Sequence, residues 1–249
     1  MPADLPPSIP RPRLRALTGA DEALIDRAEP RAATLLLGRL LQDGSDVASL
    51  SIGAHDRLLA AVFDTLYGDR IEARTQCRAC AQPLEISLSL VELVDAPPDV
   101  EVVLTGPDRE GIFTLPDGRR IRPPTVADLD RAVQSGDPDL LRRCCVVAGD
   151  PDVAVEILEA ALETAAPTLA RDVAAACPHC GVAHTVRFDL AAFLVASLAR
   201  ERPFLLRELH LLARAYGWSK TEILSLSRDD RRALARLCEA ERAASRRAA

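Results

Sequence analysis

Apolar residues recur along this chain with two different periods, and each change of period marks an element. Spacings of three and four run through Ala33, Leu36, Leu37, Leu40 and Leu41, and again through Leu58, Leu59, Val62, Phe63 and Leu66 before Gly68. They predict two helices, the second over about 56–67. An earlier helix is signalled by Thr18 as N-cap with Asp21 three residues on, ending by Pro30, and residues 48–52 read as a short strand. From Ile71 to Thr75 the period falls to two, and it stays there through Leu84, Ile86, Leu88 and Leu90, which predicts strands. Residues 100–104 give another strand. Ile112–Leu115, the turn Pro116-Asp117-Gly118, and Arg119–Arg122 then spell a hairpin. Helical spacing returns after Thr125 with Val126, Leu129 and Val133, near 138–147, and over 152–165. A later helix spans about 190–200 as far as Pro203, and the next carries Leu205, Leu206, Leu209, Leu212, Ala213 and Tyr216 up to Gly217. Ser219 and Glu222 form a capping box with Trp218 set to pack on Ile223, and the last helix, 228–242, points Leu234 and Leu237 inward.

The two period-two stretches are related. Each follows a Cys-x-x-Cys, Cys77-Arg78-Ala79-Cys80 in one case and Cys177-Pro178-His179-Cys180 in the other, and an offset of 100 positions superposes them without a gap. Leu84 then falls opposite His184, Ile86 opposite Val186, Leu88 opposite Phe188 and Leu90 opposite Leu190. Four thiolates make a closed tetrahedral zinc site with no position left for substrate, so Cys77, Cys80, Cys177 and Cys180 are the expected ligands of a structural Zn2+. The usual gap between such pairs is roughly 15–20 residues, whereas 96 intervene here. The chain must leave the ribbon, build something else and return. Two alternatives stand beside zinc: reduced structural thiols, and a disulfide within each pair. His179 and His184 lie close enough in sequence to replace a thiolate, but four cysteines are the simpler set. A thioredoxin-type redox role is disfavoured because both pairs run into strands instead of opening helices.

Composition adds an aliphatic core: 48% of residues are hydrophobic but only 3% aromatic, with 18 prolines to punctuate the turns. No stretch approaches the ~18 uninterrupted apolar residues of a membrane span, and the N-terminal sequence lacks the pattern of a signal peptide. The expectation is therefore a cytoplasmic protein, in which thiols stay reduced; Cys144, Cys145 and Cys238 read as core residues. Residues 1–199 carry 19 basic and 30 acidic side chains, against 12 and 7 in residues 200–249, so the C-terminal part is basic within an acidic chain. Its signs are interspersed, as on a solvated helix face.

Catalytic patterns are missing from the sequence. Gly38, Gly44 and Gly53 lack the spacing and the lysine of a phosphate loop, and His55, His179, His184 and His210 form no metalloprotease pair. His210 reads as an ordinary, partly buried helix residue. The chain is expected not to be an enzyme and to take no small-molecule substrate. A zinc ribbon followed by the helix, turn and helix of Leu205–Arg236 would also suit a DNA-binding regulator. Against that alternative stand the acidic balance and the absence of an evident polar recognition face.

Several local sequences carry a resemblance. They are Leu17-Thr18-Gly19, Tyr67-Gly68-Asp69-Arg70 ahead of the first knuckle, Leu115-Pro116 with Asp128-Leu129, and Phe188-Asp189-Leu190 after the second knuckle. Leu209-His210, Leu212-Ala213 and Ala215-Tyr216-Gly217-Trp218-Ser219 follow, with Glu222-Ile223-Leu224 and Arg231-Arg232. Together they resemble the T-even-type baseplate hub assembly chaperone family of contractile phage tails and contractile injection systems, over residues 17–242. The resemblance implies a non-enzymatic assembly factor or structural component of a baseplate hub, with hub, spike or tail tube proteins as partners and a place in the assembled particle left open. It singles out Tyr216, Trp218, Glu222, Ile223 and Leu224 as candidate partner contacts, with packing as the plainer role for Trp218 and Ile223. The expected fold is α+β and mostly helical. A split zinc-ribbon-like β element joins the two knuckles around an inserted lobe of hairpin plus helices. The expected divisions are a flexible segment 1–16, N-terminal helices and first knuckle 17–96, inserted lobe 97–170, second knuckle and C-terminal helices 171–242, and a frayed tail 243–249.

Overall fold

A computed structural model describes residues 14–27, 29, 31–42, 44–97 and 102–248. The expected flexible segment 1–16 and the expected strand at 100–104 lie largely or partly outside these residues. In chain order the elements are α1 (Gly19–Ala23), α2 (Ala32–Leu40), a 3-10 turn (Val47–Ser49), α3 (Ile52–Tyr67), β1 (Arg70–Gln76), β2 (Pro83–Ser89) and α4 (Leu90–Asp95). Then come β3 (Phe113–Thr114), β4 (Arg120–Ile121), α5 (Val126–Ser135), α6 (Asp139–Cys145), β5 (Val146–Ala148) and α7 (Val155–Ala165). The chain continues through β6 (Ala170–Ala176), β7 (Ala183–Asp189), α8 (Leu190–Tyr216), α9 (Lys220–Ser225) and α10 (Arg228–Ala248). The fold is thus the mixed, mainly helical one expected, with small antiparallel sheets and a ribbon-like pair of knuckles.

Among the described residues, contacts divide the chain into two units, one within Asp46–Leu190 and the other within residues 14–45 and 191–248. These limits cut across the expected divisions at 96/97 and 170/171. Both knuckles and the lobe between them fall in one unit.

In the Asp46–Leu190 unit, α3 starts earlier than the apolar spacing indicates. The Ser51 hydroxyl accepts from the Ala54 N–H at 3.2 Å, an N-cap that pulls four more residues into the helix. The strand expected at 48–52 is instead the 3-10 turn, which the Asp46 carboxylate fixes by accepting from the Ala48 N–H at 3.0 Å. Gly53 is required where it is: a Cβ there would lie 2.7 Å from the Pro167 carbonyl oxygen. One turn on, Asp56 accepts from the Leu169 N–H at 2.9 Å, so the helix leading to the first hairpin braces the backbone leading to the second.

β1 pairs with β2 and β6 with β7, both antiparallel, in registers that match at every position after the offset of 100: Arg70 faces Ser89 and Ala170 faces Asp189. The period-two pattern places Ile71, Leu84 and Ile86 on the buried side of the first hairpin. Arg171 donates to the Ala96 carbonyl at 2.9 Å, a further tie between the second hairpin and the end of the first half.

The segment between the hairpins forms its own sheet, in the order β3-β4-β5, over a core of Leu115, Ile121, Cys145, Leu158, Ala161 and Leu162. The expected hairpin is present as β3 and β4. β5 was unforeseen, because Cys145-Val146-Val147 continues the apolar spacing of α6. Asp128, 2% exposed, organises the start of α5 by accepting from Thr125 N and Oγ1 and from both guanidinium ends of Arg122. Burial alone would raise its pKa, but the Arg122 and Thr125 hydrogen bonds outweigh that and hold it at about 2.

In the other unit, Thr18 donates from N and Oγ1 to Asp21, as the capping pattern predicts. α1 nevertheless ends at Ala23, well before Pro30. Its carboxylates belong to ion pairs: Asp21 with Arg15 at 2.6 Å and Arg39 at 2.9 Å, and Glu22 with Arg228 and Arg231. Arg231 also binds Glu208 at 2.7 Å, and Arg228 reaches Glu201. Gly19 makes room for this packing, since a Cβ there would sit 2.7 Å from Arg231 Nη1 and 3.1 Å from the Leu224 Cα. Pro203 does not end a helix: α8 runs through it. Leu194, Leu198, Leu205 and Leu212 stay in phase as one buried stripe, and this burial offsets the roughly 3 kcal/mol that an interior proline costs. α10 is helical through Ala248, over most of the segment 243–249 expected to fray. Its buried positions among the described residues are Arg228, Arg231, Ala235 and Cys238, whereas Leu237, expected inward, is 57% exposed. His210, expected to be partly buried, is exposed.

Candidate metal centre

Each knuckle is built by the same backbone device. The N–H of Ala81 donates to the Cys77 carbonyl and that of Gly181 to the Cys177 carbonyl, both at 2.9 Å. Cys77 and Cys177 in turn donate their N–H groups to the carbonyls of Gln82 and Val182, also at 2.9 Å. Closing so tight a turn puts the residue after the second cysteine in the left-handed region, φ 58° at Ala81 and 72° at Gly181. Glycine takes that conformation without penalty and alanine does not.

The knuckles bring all four predicted cysteines together. Cys77, Cys80, Cys177 and Cys180 place their sulfurs within 4.8 Å of one another. The contacts cross between hairpins, Cys77 Sγ to Cys180 Sγ at 3.6 Å and Cys80 Sγ to Cys177 Sγ at 3.7 Å. All four are free thiols, so the alternative of a disulfide within each pair is not what the structure has; a disulfide needs sulfurs at about 2.05 Å. A tetrahedral ion with bonds to sulfur of about 2.3 Å would set neighbouring sulfurs about 3.8 Å apart, close to both spacings. Cys77 and Cys177 are buried, Cys80 is half-buried and Cys180 exposed, so one edge of the cluster meets solvent.

The four thiols are electrostatically unequal. Donation from the Cys80 and Ala79 N–H groups outweighs burial at Cys77 and pulls its pKa down to about 6. At Cys80 the Gln82 N–H acts in the same direction, but burial and the neighbouring sulfurs outweigh it and push the thiol up to about 12. The second knuckle repeats the split. Burial at Cys177 is overcome by the Cys180 and His179 N–H groups, so its pKa falls; at Cys180 the Val182 N–H is overcome by burial and by Cys77 and Cys177, and its pKa rises. Adjacent thiolates repel, so two ionise readily and two resist. A divalent cation removes the conflict, because coordinated thiols lose their protons outright. The site can hold a metal ion.

The two candidate histidines part company. His179 is exposed on its knuckle, while His184 Nε2 lies 3.2 Å from Cys77 Sγ, a contact between hairpins that no spacing rule indicates. The thiols outside the cluster follow expectation in part: Cys145 and Cys238 are buried in cores and Cys144 is half-buried.

Of the five candidate partner contacts, Ile223 is fully buried against Leu212 and Cys238 and is a packing residue. Trp218 packs against the same cluster and stacks on the exposed Tyr216, ring centroids 4.7 Å apart. Glu222 is exposed, but its carboxylate caps α9 by accepting from Ser219 N and Oγ. Leu224 is half-buried. The ion pairs joining Glu22 to Arg228 and Arg231 went unread in the sequence because their partners lie more than 200 positions apart. Among the described residues no helix is long and apolar enough to cross a membrane.

Comparisons with family models, curated proteins and solved structures find no match.

Proposed function

We propose that the four cysteines hold one structural zinc ion, and that the chain is a non-enzymatic assembly factor or component of a contractile-tail or injection-system baseplate hub. The observation that carries the first part is the set of sulfur contacts between hairpins at 3.6 and 3.7 Å, the edge lengths of a zinc–thiolate tetrahedron. With four thiolates in place no position stays open for substrate. Zinc would supply a permanent cross-link between β1–β2 and β6–β7 that gathers segments 96 residues apart. The second part rests on the resemblance of residues 17–242 to the hub assembly chaperones, with which the exposed Tyr216 beside Trp218 is compatible as a contact for hub, spike or tube proteins.

The DNA-binding alternative is the weaker reading. Arg228, Arg231 and Arg232 direct their charge at Glu22, Glu201 and Glu208 and have little left for phosphates. The test is affinity purification of the tagged chain from cells expressing a complete tail cluster. Recovery of hub, spike or tube proteins, reduced by Tyr216→Ala, is expected. Recovery of none of them, together with a specific, salt-sensitive shift of DNA, would overturn the assembly reading.

A further inference from the structure

The two halves are matched in register around the cluster, yet the position after the knuckle differs: Leu84 in the first hairpin and His184 in the second. Leu84 is 2% exposed and an ordinary core residue. His184 instead sends Nε2 to within 3.2 Å of Cys77 Sγ, on the opposite hairpin. We propose that His184 is a positioning residue for the metal centre, donating an Nε2–H hydrogen bond to the Cys77 thiolate and shielding that one ligand from electrophiles. The inference rests on the metal-bound reading of the four cysteines.

The donor assignment follows from valence. A coordinated thiolate carries no proton and offers only lone pairs, so this contact is attractive only if the hydrogen sits on Nε2. On a neutral imidazole such a donor at Nε2 leaves Nδ1 as the acceptor. Four thiolates around a divalent cation leave two negative charges in excess, and N–H donors to sulfur are the means by which the protein can disperse them. Backbone donors serve both knuckles alike, from Cys80 and Ala79 to Cys77 and from Cys180 and His179 to Cys177. His184 adds a side-chain donor on Cys77 for which the first hairpin, with Leu84, has no counterpart. It draws electron density from the Cys77 sulfur, which should make it the slowest of the four to react. Cys180, exposed at the solvent edge, should be the fastest.

The test uses the full chain loaded with Co2+, whose sulfur-to-metal charge-transfer bands report ligation, with iodoacetamide as electrophile and peptide mapping to identify each alkylated cysteine. His184→Leu, which installs the residue of the first hairpin, is expected to bind one Co2+ per chain and keep four-sulfur bands. It should alkylate at Cys77 roughly tenfold faster, the size of effect that a hydrogen bond to a charged acceptor supports. His184→Gln, which keeps an N–H donor, should stay near the wild-type rate and guards against a fold defect in the leucine variant. An unchanged Cys77 rate in a metal-loaded leucine variant would overturn the inference alone, as would loss of a nitrogen ligand from the cobalt spectrum, which would make His184 a ligand itself. A wild-type chain that binds no Co2+ would overturn both this inference and the metal reading beneath it.

Discussion

The first hairpin, β1 with β2, and the second, β6 with β7, share one backbone and differ in what they hang on it. Register, knuckle hydrogen bonds and the change from strand to helix at Leu90 and Leu190 coincide at the common offset. The side chains do not: Ala81 stands against Gly181, Leu84 against His184, and a six-residue α4 against a 27-residue α8. What the halves share is what the four sulfurs need. What they do not share is free to serve packing in one half and chemistry in the other. Position 84 fills a core, and position 184 reaches the cysteine cluster.

The largest expected effect should be the same from either half. Cys77→Ser and Cys177→Ser each replace one of the two buried cysteines of the cluster, and each should cost at least ~3 kcal/mol in urea unfolding of the metal-loaded chain. Strongly unequal losses would break the equivalence of the halves. The next effect should be unequal. Leu84→Ala opens a cavity worth about 3 kcal/mol, whereas His184→Ala should cost only about 1.5 kcal/mol, the low end for a hydrogen bond to a charged group. Equal costs would mean that the two positions do the same work.

The lobe between the hairpins supplies a control outside the shared geometry. Asp128 has a folded pKa of about 2 against an ordinary value of 3.8. Its contribution, ~2 kcal/mol, is therefore full above about pH 4 and is lost as pH falls through the folded value. Asp128→Asn should flatten stability between pH 4 and pH 2 in denaturant titrations and leave metal stoichiometry untouched. The smallest effect contrasts the turns. Gly181→Ala should destabilise by about 1 kcal/mol, and Ala81→Gly should stabilise by about 0.5 kcal/mol, because only one knuckle now bears a side chain at positive φ.

The knuckles and their strands were legible because both signals are local: a cysteine pair, and a period of two resumed on either side. Capping chemistry was equally local and correct in kind at Thr18, Thr125 and Ser219. At Ser51 the cap was overlooked, since polar His55 and Asp56 dilute the apolar spacing of the first turn of α3. Pro203 misled in the other direction, because a local rule was overridden by a buried stripe running the length of α8. Nothing periodic connects Glu22 to Arg231 or Cys77 to His184. Those contacts arise only when distant segments meet, so the four cysteines of the cluster could be read from the sequence but its surroundings could not.

The central claim is that one tetrahedral metal ion bonded to four sulfurs joins the two hairpins. X-ray absorption at the zinc edge of the chain purified without added metal tests it most directly. The account predicts one zinc per chain with a single shell of four sulfur neighbours at about 2.3 Å. A shell with nitrogen or oxygen in place of any sulfur, or a folded chain carrying no zinc and stable to chelator, would contradict it.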